Sequence, residues 1–378
     1  MAVAVISEFN PFHNGHKYIV QTAKKRTNEP VIAIMSGSFT QRGEVAITDK
    51  FSRAKTALEN GVDLVLELPT VFAVANAQRF AFGGVQIAKS FDCVNYLAFG
   101  CESGSVDSLK NALNAIESPA VNEIVSQKMS NGDYYPRALQ SAVNEIFGEE
   151  TAEILSTPNN ILAVEYLKNL ADTDIQPLAV KRIGTAHDSD EVCEEFASAS
   201  LVRSILRSGE NAEKYIPSVV QKITFPENLE RIMLYKLRMM SAEDFSLLPD
   251  VNEGLENRIA DAVKRYNSVK EIISSVKTKR YTHARLRRIM TCALLDITEN
   301  LQRTPIEYVR VLGFNKEGAS LLKNCRFEVV TSVAKTLKSG SNITKLLEKD
   351  VLATDIAALA YNDVDRCGND YIQQIVKI

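Results

Sequence analysis

Five short runs in the first half of the chain are apolar at almost every position: AVAVIS (2–7), PVIAIMSG (30–37), VDLVLELP (62–69), CVNYLAFG (93–100) and IQPLAVKRIG (175–184). Between them the period lengthens to that of an amphipathic helix, first in the residues after His13. The same period runs through DKFSRAKTALENG (49–61), FAVANAQRFAFGGVQIAKSF (72–91) and SVDSLKNALNAIE (105–117). Strands without polar alternation are covered on both faces, and strands alternating with helices imply a parallel sheet. The fold class expected is therefore α/β, a doubly wound parallel sheet, with a helical excursion before the fifth strand. In such sheets ligands bind beyond the carboxyl ends of the strands, where the strand order switches.

After about residue 205 the strand signals mostly stop, and ENLERIMLYKLRMM and HARLRRIMTCALLDI read as helices. A length of 378 residues is long for one core. Two domains are expected, an α/β domain over 1–205 and a mainly α-helical one over 206–378. No repeat or low-complexity linker separates them, so close packing of the two is expected.

Composition adds less than charge does. A hydrophobic content of 45% with 24% charged residues is that of an ordinary globular protein. Six cysteines lack CxxC spacing, which suggests reduced thiols and no zinc site. No basic leader precedes the first apolar run and no run reaches membrane-spanning length, so a cytoplasmic protein is expected, without a membrane partner. The net charge is −3, but residues 264–288 hold nine Lys or Arg against one Glu, a local +8 that leaves −3 − 8 = −11 elsewhere. A basic segment on an acidic background suggests a dedicated polyanion surface. Lys279, Arg280, Arg285 and Arg288 are its candidate phosphate contacts, and Tyr266 and Tyr281 its candidate stacking platforms. The competing reading is a solvated helix whose charges pair with acidic neighbours.

The densest chemistry lies in EFNPFHNGHKYIV (8–20), where the first strand hands over to a helix. His13 and His16, three residues apart, share one helical face. A helix start offers unpaired N–H groups and the positive end of the dipole. Gly15, lacking a Cβ, would let a phosphate approach the backbone. Two histidines that merely cap and pack a helix are the plainer alternative. Further candidates fall at other strand ends: SGSFTQRGE (36–44) with Ser38, Gln41 and Arg42; DKFSR (49–53); FGCE (99–102) with Gly100; PNN (158–160) with Asn159; KRIGTAHD (181–188) with Lys181, Arg182 and His187; and SASLVR (198–203) with Ser198 and Arg203.

His-x-Gly-His after the first strand, with Ser-x-Ser-x-x-Arg opening a late helix, resembles the Rossmann-like HIGH-motif nucleotidylyltransferase superfamily. Here ASASLVR stands where that superfamily usually has Ile-Ser-Ser-Thr-x-x-Arg. EFNPFHNGH, MSGSFTQRGE, DKFSRAK, DLVLELP, FGCES, PNNILAVEYLK, KRIGTAHD and KRYTHARLRRIM together are similar to the bacterial tRNA(Met) cytidine acetate ligase family, from residue 5 to about 315. That resemblance implies ATP and acetate as substrates, an acetyl-adenylate, and acetyl transfer to the wobble cytidine of elongator tRNA(Met). It implies ATP contacts along Ser7, Glu8, Phe9, Asn10, Pro11, Phe12, His13, Asn14, Gly15, His16, Lys17, Tyr18, Ile19 and Val20. Gly100, Asn159, Lys181, Arg182, Ser198 and Arg203 are further implied nucleotide contacts. His13, His16 and Arg42 take the catalytic roles, while Ser38, Gln41 and Arg42 are assigned to the acetate. Mg2+ is expected with ATP, with no metal site of the protein's own, and no protein partner is evident. QKMSNG (127–132) resembles the Lys-Met-Ser loop of class I synthetases but precedes the fifth strand, where that loop does not belong. FAFGG (80–84) is read as close helix packing. The alternatives are a small-molecule adenylyltransferase and a non-catalytic RNA-binding module.

Overall fold

The computed structural model describes residues 1–131, 133–183, 195–340 and 343–378. One sheet runs through it: β1 (Ala2–Ser7), β2 (Val31–Ser36), β3 (Leu64–Leu68), β4 (Val94–Cys101), β5 (Gln176–Lys181), β6 (Tyr308–Phe314), β7 (Glu328–Val330) and β8 (Val376–Lys377). Their order is 5-4-1-2-3-6-7, with β8 beside β6. The first five strands are mutually parallel, as their largely apolar runs predict. Alternate residues of β1 feed different cores, with Ala2, Ala4 and Ile6 on one face and Val3 and Val5 on the other. That two-sided burial is why no polar alternation is seen.

The chain passes from β1 outward to β2 and β3, then returns to place β4 on the other side of β1. The switch point therefore lies between β1 and β4, beside the helix α1 (Asn14–Thr27) that carries the two motif histidines. Helix α2 (Lys50–Glu59) follows β2, and the helix Ala77–Lys89 crosses the other face. Gly83 and Gly84 of that helix press against Phe72 and Ile6, so FAFGG is a packing surface. QKMSNG begins inside the helix Pro119–Ser130, part of an excursion with its own small core of Val121, Val125, Ala138 and Ala142. The five described cysteines are free. Among the described residues no helix is long and apolar enough to cross a membrane.

The sheet does not stop at β5. Three strands beyond residue 300 join it, which a boundary near 205 did not anticipate. Strand β6 lies antiparallel to β3, its Arg310 opposite Glu67. A charge in mid-strand is tolerated because it is paired there. Arg310 meets Glu67 at 3.0 Å and Asp370 at 2.8 Å, and the Lys50 ammonium meets the same two carboxylates at 2.8 and 3.0 Å. All four side chains are almost fully buried. The cluster ties α2, β3, β6 and the C-terminal segment together beneath the loop that follows β2.

Candidate active site

His13 is the N-cap of α1, with extended backbone at φ −126° and ψ 173°. Its Nδ1 accepts the Gly15 N–H at 3.0 Å, and the Nδ1 of His16 accepts the His13 N–H at 3.3 Å. This is a reciprocal capping box made of imidazoles in place of Ser and Glu. The rings stack with centroids 3.9 Å apart and planes 28° off parallel. A ring nitrogen that accepts from an amide carries no proton, so each neutral ring has its proton on Nε2. Burial, followed by the charges of Arg182 and Arg203, pushes His13 down to about 4. Burial, then His13 and Arg182, holds His16 well below its usual range, against the opposing pull of the Pro11 carbonyl. At neutral pH the pair presents two uncharged N–H donors.

The helix N–H groups expected to meet phosphate are already occupied. The Asn14 N–H goes to the Tyr215 carbonyl, that of Gly15 to the His13 ring, and that of His16 to the His13 carbonyl. A Cβ on Gly15 would fall 2.8 Å from His13 Cε1. The glycine makes room for the imidazole. The motif thus exchanges backbone donors for side-chain ones.

Beside the rings is a pocket lined by Ile19, Arg182, Ile183 and Phe196. Ile19 lies over Gly100 at the end of β4, where a Cβ would come within 2.8 Å of it. Arg182 stands at the end of β5 with its Nε buried and without a hydrogen-bond partner, 3.9 Å from Glu102 Oε1. Glu102 accepts from Asn159 Nδ2 at 2.6 Å, the Asn160 N–H at 3.1 Å and the Thr157 hydroxyl at 3.1 Å. In return, Asn160 Oδ1 accepts the N–H groups of Glu102 and Ser103. The sequence reading singled out Asn159 and passed over Glu102 and Asn160, which hold it in place. A second Asn in the first turn after Pro158 was the available signal. His13, His16, Gly100, Asn159 and Arg182 are therefore gathered at the ends of β1, β4 and β5.

Other candidates are placed differently. Phe9, Phe12 and Val20 are buried in the core on the side of the sheet that packs against α1 and α2. Arg203 donates to the Asn10 carbonyl at 2.8 Å and Ser200 Oγ at 3.2 Å, fastening the turn that contains the cis Asn10–Pro11 bond. Asn10 Oδ1 in turn accepts the Ile47 N–H at 2.7 Å. Pro11 is buried in the same turn, Ser7 Oγ accepts the Phe9 N–H, and the Asn14 amide spans the carbonyls of Glu195 and Lys214. Tyr18 edges the pocket against Phe196. Lys17 is partly exposed. Ser198 caps the helix Ala199–Arg207 through the Leu201 N–H, and Lys181 is exposed with its stem against Gly104. His187 lies outside the described residues.

In the loop after β2, the Gln41 N–H donates to Glu8 Oε1 at 2.8 Å and Arg42 is exposed. Ser38 bonds Thr354 and lines a larger cavity with Thr48, Lys222 and Tyr361. Arg53, fully buried, donates to the carbonyls of Glu8, Ser36, Gly37 and Thr48, so DKFSR serves to hold the strand-end loops.

Residues 1–370 match the HIGH Nucleotidyl Transferase family model. The chain is 39% identical to the tRNA(Met) cytidine acetate ligase of Thermoanaerobacter sp. (strain X514), covering 100% of this chain and 99% of that one. The chain belongs to the tRNA(Met) cytidine acetate ligase family. A second such ligase, from Caldanaerobacter subterraneus subsp. tengcongensis, is 36% identical with both chains fully covered. A crystal structure of Thermotoga maritima TmcAL bound with alpha-thio ATP superposes with a TM-score of 0.89 at 28% identity, covering 100% of this chain and 99% of that chain.

In this member of the tRNA(Met) cytidine acetate ligase family, the basic segment divides into two sets. Arg285 donates twice to the Asp250 carbonyl and once to Asn252, Arg288 pairs with Asp250 at 3.5 Å, and Arg280 pairs with Glu253. Arg287 pairs with Glu44 of the loop after β2. Tyr281 is 5% exposed and lies beneath Arg258 and Arg285, so it offers no face for a base. The acidic-neighbour reading describes these residues. Lys264, Arg265, Lys270, Lys277 and Lys279 are exposed, with no side-chain partner among the described residues, and Tyr266 is 38% exposed.

Proposed function

We propose that this chain activates acetate with ATP and transfers the acetyl group to the exocyclic amine of the wobble cytidine in elongator tRNA(Met). The observation that carries the reading is the stacked, neutral pair of His13 and His16 beside Arg182, in a chain matching tRNA(Met) cytidine acetate ligases along its whole length. Acetate attacks the α-phosphate of ATP, and acetyl-adenylate forms as pyrophosphate leaves. The Nε2–H groups of His13 and His16, with the Arg182 guanidinium, stabilise charge gathering on the phosphates. Such preorganised donors act where water is excluded. Asn159, held by Glu102, and Gly100 beneath Ile19 form the nucleoside side of the site. Gln41 and Arg42 close over the acetate. Magnesium arrives on the ATP phosphates, whose oxygens are the hard ligands it prefers.

The test is acetate-dependent ATP–pyrophosphate exchange together with nucleoside analysis of tRNA(Met) after reaction. N4-acetylcytidine at the wobble position is expected. Exchange without acetate dependence would favour a small-molecule adenylyltransferase instead.

Two predictions bear on the site and its RNA face. Gly15→Ala drives a methyl group into the His13 ring and should slow exchange by about a hundredfold, as an ångström of misplacement does. Unchanged exchange would release His13 from the reaction. Residues from about 206 onward supply the RNA face in this reading, centred on Lys264, Arg265, Tyr266, Lys270, Lys277 and Lys279. Replacing Lys264, Lys270, Lys277 and Lys279 by Ala should weaken tRNA binding and flatten the slope of log affinity against log salt by about three units. The same change at Arg285 and Arg288 should instead loosen the 250–252 loop. An unaltered salt slope in the lysine variant would move the RNA surface elsewhere.

A further inference from the structure

We propose that the Glu8 carboxylate accepts the proton that the cytidine amine gives up during acetyl transfer. The inference rests on the function proposed above and assigns a residue to its second half-reaction. The amine lone pair of cytidine is delocalised into the ring, so the nitrogen attacks effectively only as its proton is removed.

The two histidines cannot serve as that base. Each Nδ1 is taken by an amide N–H, and each Nε2 already carries the proton. The carboxylate oxygens of Glu102 are bonded to Asn159, Asn160 and Thr157. Glu44 is paired with Arg287 and faces Arg203 at 3.8 Å.

Glu8 differs from all of these. It leaves β1 directly and is partly open to solvent. Its Oε1 is fixed by the Gln41 N–H at 2.8 Å, while Oε2 has no hydrogen-bond partner among the described residues. Arg42 and Glu44 face it from the loop after β2, Arg203 from the helix Ala199–Arg207, and Arg53 from α2. The Tyr166 hydroxyl, buried and without a partner, faces it from the helix Pro158–Leu170. Among the described residues no cation closes an ion pair with it. Burial is the leading influence and raises its pKa, with the Gln41 N–H, Arg203 and Arg42 pulling down and Glu44 pushing up. An oriented carboxylate with one free oxygen and a raised pKa is a competent proton acceptor.

In the step, the cytidine N4 bonds to the carbonyl carbon of acetyl-adenylate. The bond from that carbon to the phosphate oxygen breaks, AMP leaves with the electron pair, and the N4 proton passes to Glu8 Oε2. The acid then returns the proton to water.

Glu8→Gln keeps an oxygen for the Gln41 N–H and removes the base. In one preparation, exchange without tRNA and the rate of N4-acetylcytidine formation are both measured. The loss in transfer should exceed the loss in exchange by about thirtyfold or more, with the acid limb of the transfer pH profile abolished. Wild-type transfer in the Gln variant, with slow transfer in Glu8→Ala, would reduce Glu8 to a loop anchor and overturn the proposal. Equal losses in both reactions would overturn it too, by placing Glu8 in adenylate formation. A wild-type chain that exchanges but forms no N4-acetylcytidine would overturn the functional reading, and Glu8's role with it.

Discussion

His16→Ala slows acetate-dependent ATP–pyrophosphate exchange by about a hundredfold or more, the effect of losing one preorganised donor. ATP affinity falls far less, because Arg182, Gly100 and the Glu102–Asn159 pair remain. The loss is compound. Without the His16 Nδ1 the His13 N–H has no acceptor, and the His13 ring loses the partner stacked 3.9 Å away. Removing both histidines should therefore cost little more than removing one, as residues acting as a unit do. His16→Asn restores an acceptor and a donor, and should recover part of the rate. Near-normal exchange in His16→Ala would end the assignment.

The same two rings set a pH signature. Their folded pKa values lie below the usual histidine value of 6.5, so between pH 6.5 and about 4 the unfolded chain binds more protons than the folded one. Stability from these groups is present above pH 6.5 and is lost as pH falls through that window. Urea titrations at pH 5 and pH 7 should differ less in a His13→Gln, His16→Gln double variant than in the wild type.

The largest stability effect belongs to Arg310→Met. It leaves Glu67 and Asp370 buried with Lys50 as their only cation in the cluster. Removing one partner from a buried ion group costs about 3–5 kcal/mol, since the remaining charge is neither hydrated nor paired. Adding Glu67→Gln should recover part of that loss, because the one remaining carboxylate of the pair, Asp370, then faces the one remaining ammonium, Lys50. Asp350, packed nearby with its pKa raised to about 7 by burial and then by Glu67, shows how little further negative charge the region accepts. An Arg310→Met protein with the wild-type denaturation midpoint would contradict this account.

Strands β1 to β3 were legible because each is buried along nearly its whole length and reads as an almost continuous apolar run, and β4 and β5, which are more open, were legible from their apolar centres. Strand β6 was missed for the opposite reason. YVRVLGF is interrupted by an arginine whose buried partners lie far off in sequence, on β3 and near the C-terminus. The pairing of His13 and His16 was legible from their spacing, since residues three apart share a helical face. What spacing does not carry is which atom of each ring is engaged, nor that Gly15 lies against the His13 ring. Arg285 and Arg288 were legible as charge but not as loop anchors, because composition does not show that one holds the Asp250 carbonyl and the other its carboxylate. Glu8 lay inside the motif, yet nothing local distinguishes a bonded carboxylate from one with a free oxygen.

The antiparallel β6 also has a consequence for synthesis. Until Tyr308–Phe314 has been made, β3 has no neighbour on its outer side and Glu67 no arginine. At the usual ~5–20 residues per second, the ribosome needs tens of seconds to travel from one strand to the other. Through that interval the half-built sheet offers an open backbone edge to any passing strand. A nascent chain halted before residue 308 should therefore be bound by holdase chaperones and digested readily, whereas one in which β6 and its partners Glu67 and Asp370 have come together should resist both.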